Sequence, residues 1–72
     1  MQTNTAKEQL MAIASRIKEM REIMGWTIAE MAEKTEVSED QYLIYEGANA
    51  DIPFSFIHKC SQAFSVDLTE LL

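Results

Sequence analysis

Residues Thr27–Glu46, TIAEMAEKTEVSEDQYLIYE, carry two helix starts separated by a turn. Thr27 opens the first, with Glu30 three residues on to complete a capping box, and Ser38 with Gln41 repeats the spacing. Ile28, Met31 and Ala32 supply the inner face of the first helix, and Ala32 is small enough for close helix approach. Glu36-Val37 makes the turn. Glu39 and Asp40 fall in the first turn of the second helix, where negative charge suits the helix dipole. With Tyr42 and Tyr45 turned inward, Leu43 and Ile44 face solvent at least in part.

Working outward, Leu10, Ile13, Ile17, Met20 and Met24 recur every three or four residues, which predicts a preceding helix from about Thr5 to Met24. Gly25 ends it, since glycine tolerates a left-handed C-terminal position. Downstream, Gly47–Ile52 reads as a loop. Pro53 fits the first turn of a fourth helix running to about Ala63, with Asp51 or Ile52 near its cap. Phe54, Ile57, Cys60 and Phe64 share a face of that helix, while Phe56 lies towards its flank. Ser65–Leu72, SVDLTELL, predicts a short fifth helix capped by Asp67, with Leu68, Leu71 and Leu72 folding back. The expected fold is all-α, five short helices with brief connections. Residues 1–11 form an N-terminal extension and the start of the first helix, and residues 12–72 the domain.

Seventy-two residues allow one domain with a small core, and 47% hydrophobic content with two glycines and one proline is globular. The single cysteine, Cys60, excludes an internal disulfide and a thiolate cluster, and its apolar setting predicts an inert, buried thiol. No run reaches the roughly 18 apolar residues of a membrane span. The first fifteen residues lack the apolar core of a signal peptide. A cytoplasmic location follows as the expectation, and the unfinished Leu71-Leu72 end suggests a piece of a longer protein.

Charge is unevenly distributed. The chain carries net −6. Residues 27–51 hold only Lys34 against Glu30, Glu33, Glu36, Glu39, Asp40, Glu46 and Asp51, whereas Lys7, Arg16, Lys18 and Arg21 all precede them. Any basic surface must come from the first helix.

The ordered set Arg16-Ile17-Lys18-Glu19-Met20-Arg21, Gly25-Trp26-Thr27, Glu30-Met31-Ala32-Glu33-Lys34, Val37-Ser38, Tyr42, Tyr45-Glu46-Gly47, Pro53 and Val66–Leu72 resembles a lambda-repressor-like helix-turn-helix domain of the xenobiotic-response-element class of bacterial and phage regulators. The resemblance covers residues 12–72. It implies a compact five-helix DNA-binding domain with its helix-turn-helix at 28–35 and 38–46, the second helix entering a major groove. It also implies an ion pair between Arg21 and Glu46, which agrees with their positions late in the first and third helices. Arg16, Lys18 and Arg21 would approach phosphates. Ser38, Gln41, Leu43, Ile44 and Asn49 would face the groove or its rim. The implied partner is double-stranded DNA, bound by a homodimer joined through regions beyond residue 72.

Two departures stand out. Glu36 occupies a turn position where the family usually has glycine, and a left-handed backbone there would cost on the order of 1 kcal/mol. Glu39 and Asp40 stand where side chains meet base edges, and a carboxylate can accept from cytosine but donate to nothing. The alternative reading is therefore a helix-turn-helix fold repurposed for protein interaction or self-association through Glu39, Asp40, Leu43 and Ile44.

Other constellations are weaker. His58 has no second histidine with which to bind metal, and the Glu30/Glu33 and Glu36/Glu39/Asp40 groups lack calcium-loop spacing. No catalytic set or phosphate loop is present, so the expectation is a non-enzymatic domain without cofactor or metal. Trp26 fits a hydrophobic staple against Met31 or Ala32, and Met1, Met11, Met20, Met24 and Met31 read mostly as adaptable core filling.

Overall fold

The computed structural model describes residues 5–72; residues 1–4 of the expected N-terminal extension, Met1 among them, lie outside the described residues. Four α-helices follow in order: α1 Thr5–Met24, α2 Ile28–Thr35, α3 Glu39–Glu46 and α4 Phe54–Phe64. A 3₁₀ turn at Leu68–Glu70 follows them. No strand occurs among the described residues. α2 packs on α3 and α4, α1 lies across α3 and α4, and the 3₁₀ turn closes on α4.

The core is drawn from all four helices and from Leu71 just after the 3₁₀ turn: Ile17, Met31, Ala32, Tyr42, Phe56, Ile57, Cys60, Phe64 and Leu71. Thr35 is also fully buried, and its hydroxyl donates to Met31 O at 2.7 Å, so the helix carries its own buried polar group without penalty.

The Thr27 capping box forms in full. Its hydroxyl accepts from Glu30 N at 3.1 Å, and Glu30 Oε1 accepts from Thr27 N at 2.8 Å. At Ser38 only one half forms, with the hydroxyl accepting from Gln41 N at 3.1 Å.

All four helices end in one way. After α1, Trp26 N donates to Arg21 O and Gly25 N to Glu22 O, the paired bonds of a Schellman motif. The same pair closes α2 at Glu36-Val37, α3 at Ala48-Asn49 and α4 at Ser65-Val66. Each motif needs one left-handed residue. Glycine supplies it only at Gly25, with φ of 74°, while Glu36, Ala48 and Ser65 take it at 63°, 57° and 58°.

The structure corrects the expected fifth helix. Glu70 N donates to Asp67 O at 2.9 Å and Leu71 N to Leu68 O at 3.0 Å, so the winding is 3₁₀. Three residues per turn place Leu68 and Leu71 on one line, facing the core, and leave Leu72 half-exposed rather than folded back.

The inner face of α4 also differs. Phe56 is buried against Tyr45 and Tyr42, with ring centroids 4.5 and 5.9 Å away, and Phe54 is 62% exposed. Pro53 is the cap itself rather than a residue of the first turn. Met24, expected in the apolar stripe of α1, is exposed, and Ala14 is buried instead.

Candidate functional site

α2, the Glu36-Val37 turn and α3 form a bihelical unit whose second helix is fixed at its C-terminal end. Arg21 Nε donates to Glu46 Oε2 at 2.9 Å and Nη2 to Oε1 at 3.2 Å, a bidentate pair that is almost wholly buried. The remaining Nη1 donates to Trp26 O at 2.9 Å, and the Tyr42 hydroxyl donates to Glu46 Oε2 at 2.6 Å. One guanidinium therefore ties the end of α1, the α1–α2 linker and the end of α3 together. The hydrogen bonds to Glu46 hold the Arg21 guanidinium more firmly protonated than usual. Burial, with its hydrogen bond to Glu46, pushes the Tyr42 phenol well above the ordinary range.

With Tyr42 buried and Tyr45 and Glu46 mostly buried, α3 turns its other side outward. At about 100° per residue, the open arc runs from Glu39 through Leu43 and Asp40 to Ile44. Leu43 is 50% and Ile44 38% exposed, and both carboxylates are exposed. Gln41 is half-buried and lies about 60° beyond Ile44, at the edge of the arc. No lysine or arginine lies between Lys34 and Lys59, so neither α3 nor the loop after it offers a cation.

The four basic residues of α1 do not form one patch. Arg16 and Lys18 are two residues apart and so project from opposite sides of the helix. Arg16 reaches the C-terminal segment, Nη1 donating to Leu72 O at 2.9 Å, and Arg21 is committed to Glu46. Lys18 is exposed, on the same face as Lys7 about three turns earlier. Lys7 lines a shallow groove of about 380 Å³ with Leu10, Asn49 and Asp51, which sets that face of α1 beside the loop after α3.

A family model described as a helix-turn-helix domain matches residues 14–72. The chain belongs to the helix-turn-helix domain family. No curated protein and no solved structure matches it.

Within this helix-turn-helix domain the residues expected to face a groove separate into two groups. Leu43 and Ile44 lie on the open arc and Gln41 borders it beside Ile44, whereas Ser38 and Asn49 are exposed before and after the helix. The turn glutamate has a second partner. Glu36 Oε1 lies 2.9 Å from Lys59 Nζ, which holds its carboxyl below the usual range and links the turn to α4.

Trp26, expected to staple onto α2, instead stacks on Phe64 of α4 with centroids 5.8 Å apart, and Lys34 Nζ lies 4.4 Å above its ring. Sequence reasoning missed the Tyr42–Glu46 bond, although a tyrosine four residues before a glutamate on one helix was its signal. Cys60 is fully buried, and burial raises its thiol to about 12. Among the described residues no group of histidine, cysteine and carboxylate side chains is disposed to hold a metal ion, and no helix is long and apolar enough to cross a membrane.

Proposed function

We propose that this chain is the DNA-binding domain of a cytoplasmic bacterial or phage transcriptional regulator of the lambda-repressor-like, xenobiotic-response-element class. α3 enters the major groove by noncovalent contact. The observation that carries the reading is the clamped α3, held at one end by Arg21, Tyr42 and Glu46 while its opposite arc stays uncovered. An eight-residue helix is about 12 Å long, comparable with the width of the major groove.

Leu43 and Ile44 then face bases, Ser38 and Asn49 sit at the rim, and Gln41 reaches it from the flank. Lys18 supplies phosphate contact, whereas Arg16 and Arg21 contribute there only if they leave their internal partners. The resemblance to dimeric readers extends the proposal to a homodimer joined through regions beyond residue 72.

Fluorescence anisotropy against random duplex and the DNA upstream of its own gene, at low and near-physiological salt, tests the reading. Binding weakened by Lys18→Ala or Asn49→Ala, and unchanged by Gln62→Ala on the far side, is the expected result. Absence of binding by the folded chain at low salt refutes it.

A second reading, a protein-facing helix-turn-helix domain, is favoured by one observation. The open arc of α3 combines two carboxylates with two large apolar side chains and no cation. Failure to bind DNA together with self-association in sedimentation, abolished by Leu43→Ser, would establish that use.

A further inference from the structure

The open arc of α3 has a chemistry that selects among bases. A carboxylate only accepts hydrogen bonds. In the major groove guanine presents two acceptors, N7 and O6, adenine an N6 amino donor beside its N7 acceptor, cytosine an N4 amino donor alone, and thymine a 5-methyl group beside its O4 acceptor. Glu39 and Asp40 therefore repel a guanine edge, meet the N7 lone pair beside the amino group of adenine, and accept from cytosine N4 with no adjoining acceptor on the same base. Leu43 and Ile44 offer no polar atom, and their exposed surface complements only a methyl group. The usual guanine readers, arginine and lysine, are missing from the whole span between Lys34 and Lys59.

We propose that the open arc of α3 reads pyrimidines on the strand it faces. Leu43 and Ile44 pack on thymine 5-methyl groups, and Glu39 and Asp40 accept from cytosine N4 amino groups. The inference rests on the DNA-binding reading above and assigns it a base class. It also offsets the poor electrostatics of the domain, because burying methyl groups needs no positive charge. Leu43 and Ile44 lie about 100° apart with Asp40 between their directions, so two methyl groups flank one cytosine-facing carboxylate.

The test starts from the 72-residue chain, used to enrich binding sites from a random duplex library at low salt. The enriched duplex is then remade with each thymine in turn replaced by deoxyuridine, which retains O4 and loses only the methyl. Each methyl in contact with Leu43 or Ile44 should be worth roughly three- to fivefold in affinity. Leu43→Ala should abolish the thymine-over-uracil preference at one position and Ile44→Ala at another. Both side chains are exposed, and circular dichroism of the variants checks that the fold is unchanged.

Equal affinity for thymine and uracil at every position overturns the inference while leaving DNA binding intact. So does a preference that survives in both variants, or an enriched site whose facing strand is read through guanine. No enrichment by the folded chain overturns the inference and the DNA-binding reading together.

Discussion

Glu36, Ala48 and Ser65 each hold a left-handed backbone to close a helix, a conformation in which a Cβ meets its own carbonyl. Ala48→Gly and Ser65→Gly should each stabilise the domain by about 1 kcal/mol, read as a higher urea midpoint with an unchanged slope. Gly25→Ala, which meets open space but takes the same conformation, should destabilise by a similar amount. Arg21 is a harder case to replace. It neutralises a nearly buried Glu46, and Arg21→Ala should cost about 3 kcal/mol by stranding that carboxylate. Arg21→Lys should rescue only part of this, since an ammonium cannot form the bidentate pair and reach Trp26 O as well. Tyr42→Phe should cost about 1 kcal/mol, and a double-mutant cycle with Arg21→Ala should show coupling through the shared Glu46 Oε2.

At the scale of elements, α3 depends on its two ends. Ser38→Ala removes the hydroxyl that accepts from Gln41 N and should cost about 1 kcal/mol, with faster hydrogen exchange confined to the first turn of α3. This end was legible in the sequence because a cap and its spacing are local. α1, the bihelical unit and the turn between its helices were legible for the same reason. The inner face of α4 was not. Phe54 and Phe56 flank its buried line at similar angles, and the choice is made by Tyr42 and Tyr45 of α3, whose rings lie on the Phe56 side. The 3₁₀ winding after Asp67 escaped because Leu68 and Leu71 suit either helix type, and only the hydrogen bonds from Glu70 N to Asp67 O and from Leu71 N to Leu68 O separate them. Trp26 was misassigned because its partner, Phe64, is remote in sequence. Among candidate site residues the outward placement of Leu43 and Ile44 followed from helical period. The capture of Arg16 by Leu72 O did not, since it depends on where the C-terminal segment crosses α1.

Over the whole molecule, charge is the governing quantity. A chain of net −6 whose cations on the α3 side without a partner among the described residues are Lys7 and Lys18 displaces few counterions. Its DNA affinity should therefore fall with salt at a log–log slope of only about −2 per domain. Anisotropy titrations at graded salt measure this, and Lys18→Ala should flatten the slope by about one further unit. Global stability should vary with pH in one direction above neutrality. Burial holds the Cys60 thiol at about 12 and the Tyr42 phenol higher still, so the native state keeps both protons where the unfolded chain begins to lose them. Stability should be flat up to about pH 8 and decline as pH rises towards 12, and Cys60→Ala should make the decline shallower. Denaturant melts at stepped pH provide the check.

The chain has one tryptophan, and that residue touches the parts that must come together. Arg21 of α1 grips its carbonyl, Phe64 of α4 stacks on its ring, and Lys34 of α2 lies above it. The molecule thus contains an optical gauge of its own assembly, sensitive to the docking of three helices rather than to helix formation alone. The ring partners of this indole, Phe64 and Lys34, belong to α4 and α2. Emission followed through a denaturant titration reads that docking directly.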